Sequence, residues 1–180
     1  MPVINVDSDC FYDKGTFLPE SGPGGNVFIA NYHKLGIMID ISDKDIVRRY
    51  AKASGRIYLK KETIETISNG KVKKGDVFTS AKIAGMEGAK EAWNRLPYCH
   101  QIPLEGVDVY IELLEDSVKA SCSVIAQWKT GVEMDALSGV TSALLTVWDM
   151  VKYIEKDDTG NYPETKISDV IVETKVKGHA

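Results

Sequence analysis

Several residues able to move protons or hold phosphate stand where their immediate neighbours do not explain them. In "VWDMVKYIEKD", Asp149 and Lys152 are three apart and share one face of a helix, with Lys156 one turn further on. A carboxylate touching an ammonium is a proton acceptor beside a donor. It is also the commonest surface ion pair, worth a few tenths of a kcal/mol. Lys74, in "VKKGDVF", precedes a helical pattern whose first free N–H groups already favour anions. Glu133 and Asp135, in "TGVEMDA", open another helix, where acids stabilise the dipole and need no further reason. "RLPYCHQIP" sets Cys99 beside His100 between two prolines. Neighbours on an extended chain point to opposite faces, so spacing alone leaves ligation, nucleophilic catalysis and packing all open for His100.

Spacing nevertheless limits how these groups combine. Glu133 and Asp149 are sixteen residues apart on one helix, which separates them by about 24 Å at 1.5 Å per residue. One pocket in one chain cannot use both. If both ends of the helix serve one site, two subunits must build it.

Composition narrows the classes. The chain has 180 residues, is 43% hydrophobic and 27% charged, and carries a net charge of -4 from 22 Lys+Arg and 26 Asp+Glu. That describes one ordinary domain with a real core and no global field for nucleic acid, so an anionic ligand needs a local group of cations. Cys10, Cys99 and Cys122 are too few and too scattered for a disulfide framework or a zinc site, which fits a reducing, cytoplasmic setting. The N-terminus has no apolar signal core, and no apolar run reaches the roughly 20 residues of a membrane span. "SGPGGN" is glycine-rich but lacks the Gly-Lys-Ser/Thr ending of a phosphate loop.

The elements that must position the candidates follow from periodicity. Residues 1–36 read as an N-terminal arm, with "FLPESGPGG" as its turn-rich stretch, and residues 37–180 as the domain. "ASGRIYLK" is a strand and "KKETIETISNG" a short helix closed by Asn69-Gly70. A long helix is expected from Gly75 to about Leu96, with Ala81, Gly85, Gly88, Ala89 and Ala92 forming a stripe of small residues for close packing. Val107 to Leu113 and Val118 to Ala126 alternate as a hairpin around Glu115-Asp116-Ser117, with Cys122 on its buried face. A second long helix runs from about Gly131 to Lys156. Its second apolar stripe, Ala136, Ala143 and Met150, predicts cover by a neighbour or another subunit. "KISDVIVETKV" is a last strand. The order β-α-α-β-β-α-β reduces to the split βαβ pattern of a ferredoxin-like α+β sandwich, an antiparallel sheet with two long helices on one face.

"KKGDVFTSAKIAGMEGAKEAWNRLPYCHQIPLEGVDV", "KTGVEMDALSGVTSALLTVWDMVKYIEKD" and "MIDIS" at 38–42 closely resemble the molybdenum cofactor biosynthesis protein C family, the cyclic pyranopterin monophosphate synthases, in family order and spacing from Met38 to about residue 173. The resemblance implies a hexamer of three dimers with active sites at the dimer interface. It also implies conversion of 3′,8-cyclo-7,8-dihydroguanosine 5′-triphosphate into cyclic pyranopterin monophosphate, with release of pyrophosphate. Carried over by motif, Asp149 and Lys152 become the acid–base pair, and Lys74 with His100 handles phosphate or ring protons. Tyr98, Cys99, His100, Glu133, Met134 and Asp135 become substrate-binding, Cys99 as support rather than nucleophile. A lysine with a depressed pKa at 152 would shuttle a proton. The resemblance assigns no resident cofactor, and Mg2+ can accompany the triphosphate.

Departures from the family pattern are Tyr98 for leucine, Gln101 for proline, Trp128 for glycine and Asp135 for a longer glutamate. "ETKVKGHA" replaces a glycine-lysine segment, leaving Lys175 and Lys177 as the cations there. These departures define an alternative, a catalytically impaired homologue that still binds a pterin or purine nucleotide.

Overall fold

The computed structural model describes residues 37–178, which fall in one unit beginning at Ile37. The expected arm, Cys10, His33 and His179 lie outside the described residues. Elements run β1 (Val47–Tyr58), α1 (Lys61–Ser68), α2 (Val77–Lys90), α3 (Ala92–Arg95), β2 (Gly106–Leu113), β3 (Ser117–Trp128), α4 (Glu133–Glu155) and β4 (Lys166–Lys177). The four strands form one antiparallel sheet in the order β2-β3-β1-β4. The protein is therefore α+β, as expected.

Alternation along the strands sends one set of side chains to the helices. Ala51, Ala53 and Ile57 of β1, Val109 of β2, and Val118, Ala120, Cys122, Val124 and Ala126 of β3 are fully buried. Alanines on the two central strands leave little height above the sheet, which lets α4 lie close. Leu144, Val140, Val147 and Val151 complete that layer with no exposure. Each such side chain contributes about 1.5–3 kcal/mol of burial.

The stripe of small residues on α2 meets its counterpart on α4. A Cβ at Gly88 would come 2.2 Å from Ser142 Oγ and 2.9 Å from the Ser138 carbonyl, and one at Gly139 would come 2.6 Å from Cys122 Sγ. The helices cross with backbones nearly touching. Ser138 uses this closeness, its hydroxyl donating to the Gly88 carbonyl at 2.8 Å.

Two expectations need correction. The helix expected to run unbroken to Leu96 breaks at Glu91, whose φ of -105° and ψ of 11° leave the helical region, so the last turn becomes α3. The redirected turn lets Arg95 donate to Ser142 Oγ at 2.6 Å and pair with Glu91 at 3.2 Å. Leu96 then adopts the extended conformation that a following proline imposes. The second stripe of α4 is covered within the chain, since Ala136, Ala143 and Met150 are buried among residues of the same core. It carries no argument for another subunit.

At its last turn α4 supplies a buried anchor. Glu155 is fully buried and accepts the Lys60 N–H at 3.1 Å and the hydroxyls of Thr63 and Thr165. Lys60 caps α1 without a side-chain bond of its own, so Glu155 performs the capping from α4. It thereby fixes α1 and the start of β4 to the end of the long helix.

Candidate active site

Asp149 is an exposed carboxylate in the C-terminal part of α4, six residues before Glu155. Two ammonium groups hold it. Lys152 Nζ is 2.7 Å from Oδ1, and Lys74 Nζ is 2.6 Å from Oδ2 and 2.9 Å from the Asp149 carbonyl oxygen. These bonds, from Lys152 first and Lys74 next, hold the Asp149 carboxyl down at about 2. Asp149 in turn raises the Lys152 pKa. That direction is opposite to the depressed pKa expected of a proton-shuttling lysine.

The loop ahead of α2 brings Lys74 there. Gly75, at φ +100°, supplies the left-handed turn between Lys74 and the helix. Asp76 caps α2, accepting the N–H groups of Phe78 at 2.9 Å and Thr79 at 3.2 Å. On the α4 side, the Tyr153 hydroxyl accepts the Lys73 N–H at 3.0 Å, pinning the residue before Lys74.

The other end of α4 is built differently. Asp135 is 2% exposed, and its Oδ2, like Oε2 of Glu133, is buried without a hydrogen-bond partner among the described residues. Burial, with the Glu133 charge adding to it, pushes the Asp135 carboxyl up to about 6. Glu133 keeps one oxygen paired, Oε1 lying 2.6 Å from Lys175 Nζ. Lys175 lies opposite Ala51 on β1, whose side chain faces the helices. Cys99 stands close enough that Asp135 and Glu133 join burial in raising its thiol pKa, an environment that opposes thiolate chemistry. His100 bonds through Nε2 to the Ile39 carbonyl at 2.7 Å. Met134 and Tyr98 are 40% and 54% exposed.

The candidates therefore gather as two groups. Asp149, Lys152 and Lys74 meet at the C-terminal end of α4, while Glu133, Asp135 and Cys99 meet at the N-terminal end. Within one chain Lys74, bonded to Asp149, stands with the first group, and His100, which follows Cys99, with the second, so the shared role that the resemblance implies for them calls for two copies. A groove of about 370 Å³, lined by Met86, Ile102, Leu104 and Glu105 among others, lies along β2 and includes none of these residues.

Sequence reasoning passed over Tyr153, Ile39 and the tie between Lys175 and Glu133. Tyr153 follows Lys152 and was readable only as part of the helix. Ile39 acts through its backbone, which no side-chain pattern records. Two register shifts in β4, near Glu173 and between Ser168 and Ile171, hide which of its residues face inward.

The chain belongs to the MoaC family, whose pattern matches residues 38–178. It is similar to a protein of Thermoplasma volcanium named a probable cyclic pyranopterin monophosphate synthase, with 54% identity over 79% of this chain and 95% of that one. Proteins with the same name from Thermococcus kodakarensis and Methanosarcina mazei are 54% and 52% identical, over 78% and 79% of this chain and 90% and 91% of theirs.

Proposed function

We propose that this protein is the lyase of molybdenum cofactor assembly that converts 3′,8-cyclo-7,8-dihydroguanosine 5′-triphosphate into cyclic pyranopterin monophosphate and pyrophosphate. The observation that carries the reading is Asp149 clamped between Lys74 and Lys152, with both lysines about half exposed. Opening the purine five-membered ring with water requires a proton acceptor and a donor. Asp149, ionised, accepts; Asp135 from the other end of a second copy's α4, able to carry a proton near neutrality, donates, and the ammonium of Lys152 holds charge. When a ribose hydroxyl attacks the α-phosphate, its proton departs, the bond to pyrophosphate breaks, and negative charge grows on the leaving oxygens. Lys74 and Lys152 offset that charge.

In this reading the fold is ferredoxin-like, supported by the strand order β4-β1-β3-β2. Residues 37–180 are the catalytic domain and 1–36 an added arm. The domain works as a hexamer of three dimers in the cytoplasm, each site joining the Asp149 end of one α4 to the Glu133 end of another. Support for the shared site is the separation of about 24 Å between those ends in a single chain. Glu133, Met134, Asp135, Tyr98, Cys99 and His100 then hold the substrate against the lysine cluster. The family membership and the relatives' names favour turnover over a binding-only homologue.

Incubation of the purified protein with the cyclised GTP substrate, with pyrophosphate release as the readout, tests the proposal. Release that disappears in Asp149→Ala is expected. Tight substrate binding without release would overturn it.

A further inference from the structure

The His100 ring makes its one hydrogen bond among the described residues through Nε2, to the Ile39 carbonyl oxygen. A carbonyl oxygen can only accept, so the proton of that bond belongs to the imidazole. When the ring is neutral, Nε2 is then the protonated nitrogen and Nδ1 carries the lone pair. We propose that residues 37–42 form a positioning strap whose Ile39 carbonyl selects the Nε2-protonated tautomer of His100 and leaves Nδ1 as the nitrogen that exchanges a proton with substrate. The catalytic consequence rests on the function proposed above; the tautomer does not.

Burial does not hold the strap in place, since Ile37, Met38 and Ile39 are 63%, 55% and 68% exposed. Directed bonds do. Lys129 Nζ donates to the Ser42 carbonyl at 2.6 Å, fixing the far end. Between the two anchors, Asp40 Oδ1 accepts the Ser42 N–H at 2.8 Å and the Ser42 hydroxyl at 2.7 Å, closing a local turn. The Asp40 carboxyl is held below its ordinary value by these bonds first, and by the charges of Lys129 and His100 after them. Asp40 therefore lies in the field of both groups that the strap engages. In the proposed reaction the attacking ribose O–H gives its proton to Nδ1 as its oxygen bonds to the α-phosphorus and the bond to pyrophosphate breaks, while Nε2 keeps its hydrogen and donates it to the Ile39 carbonyl throughout. A fixed carbonyl dipole is then already aimed at the imidazolium that forms, as in other sites where a hydrogen-bond partner sets the ring.

Full-length protein labelled with 15N-histidine reports the tautomer directly by NMR, with the His100 signals identified by their loss in His100→Gln. The expected spectrum above the imidazole titration is the Nε2–H form. Asp40→Ala, which removes the acceptor closing the turn, is expected to mix the tautomers and lower kcat about tenfold, at the modest end for an outer hydrogen bond that orients a histidine. Thermal stability should barely change, because Asp40 is exposed. Asp40→Asn keeps Oδ1 and is expected to retain both tautomer and rate. An Nδ1–H tautomer in the parent protein would overturn the proposal, as would an Asp40→Ala spectrum with the tautomer unchanged. A parent protein that releases no pyrophosphate yet shows the Nε2–H form, lost in Asp40→Ala, would sink the proposed function while supporting the strap.

Discussion

At the C-terminal end of α4, Asp149 lies in solvent between two ammonium groups, whereas at the N-terminal end Asp135 is buried with an oxygen that no described residue satisfies. The residue type is the same and the helix is the same. Two ammonium groups drive one carboxyl down to about 2, and burial drives the other up to about 6. Carboxyls whose environments push them apart divide acid and base duties between them, one staying ionised as acceptor and the other able to carry a proton near neutrality. In the proposed reaction each end alone then holds half of what ring opening needs.

The largest expected effect lies at the exposed end. An ordinary surface ion pair contributes so little that its removal would barely matter, but Lys152→Ala should lower turnover by about a hundredfold or more, the scale of losing one group that stabilises transition-state charge. Because Asp149 keeps Lys152 protonated, Lys152→Arg should recover activity to within about tenfold, through the charge that arginine also carries. An arginine variant as poor as alanine would show that Lys152 must lose its proton during the cycle, and would break the contrast drawn between the ends.

A variant at the middle of the helix separates local causes from the seating of α4. Gly88→Ala forces a methyl group into Ser142 and should lower stability by about 1–3 kcal/mol in urea denaturation. If neighbours alone set the two carboxyls, kcat of the folded variant should fall less than tenfold. A collapse of kcat with small loss of stability would mean the helix crossing itself tunes the ends.

The smallest effect is expected at the buried end, and its sign depends on pH. Asp135 has a folded pKa raised above its unfolded value of about 4, so the native state binds more protons between that value and about 6. Its contribution is present below the unfolded pKa and is lost as pH rises through about 6. Asp135→Asn removes this dependence. The variant should match the parent near pH 4 and exceed it by about 1–2 kcal/mol at pH 8, measured by denaturation at both values. Equal pH dependence in the two proteins would show that Asp135 titrates normally.

Much of this architecture was legible in the chain, for reasons that can be named. The alternation of Val118, Ala120, Cys122, Val124 and Ala126, and the small stripe through Gly85 and Gly88, state which faces are covered. Glu133 and Asp149, sixteen apart, already imply separate ends. What was hidden depends on backbone. The break at Glu91 carries no side-chain signal, the bulges of β4 disturb its alternation, and the bond from His100 goes to a carbonyl that every residue possesses. The stripe of Ala136, Ala143 and Met150 was legible as buried, but periodicity cannot say by what, and the cover is the chain's own core.

The central claim is that one site is assembled from opposite ends of α4 in two copies. Mixing Asp149→Ala protein with Glu133→Ala protein, each inactive alone, tests it under conditions where subunit exchange is verified by mass. In a mixed dimer one site receives both defects and the other neither, so random exchange should restore about a quarter of the parent rate of pyrophosphate release. Mixtures that stay as inactive as their components, despite demonstrated exchange, would contradict a shared site.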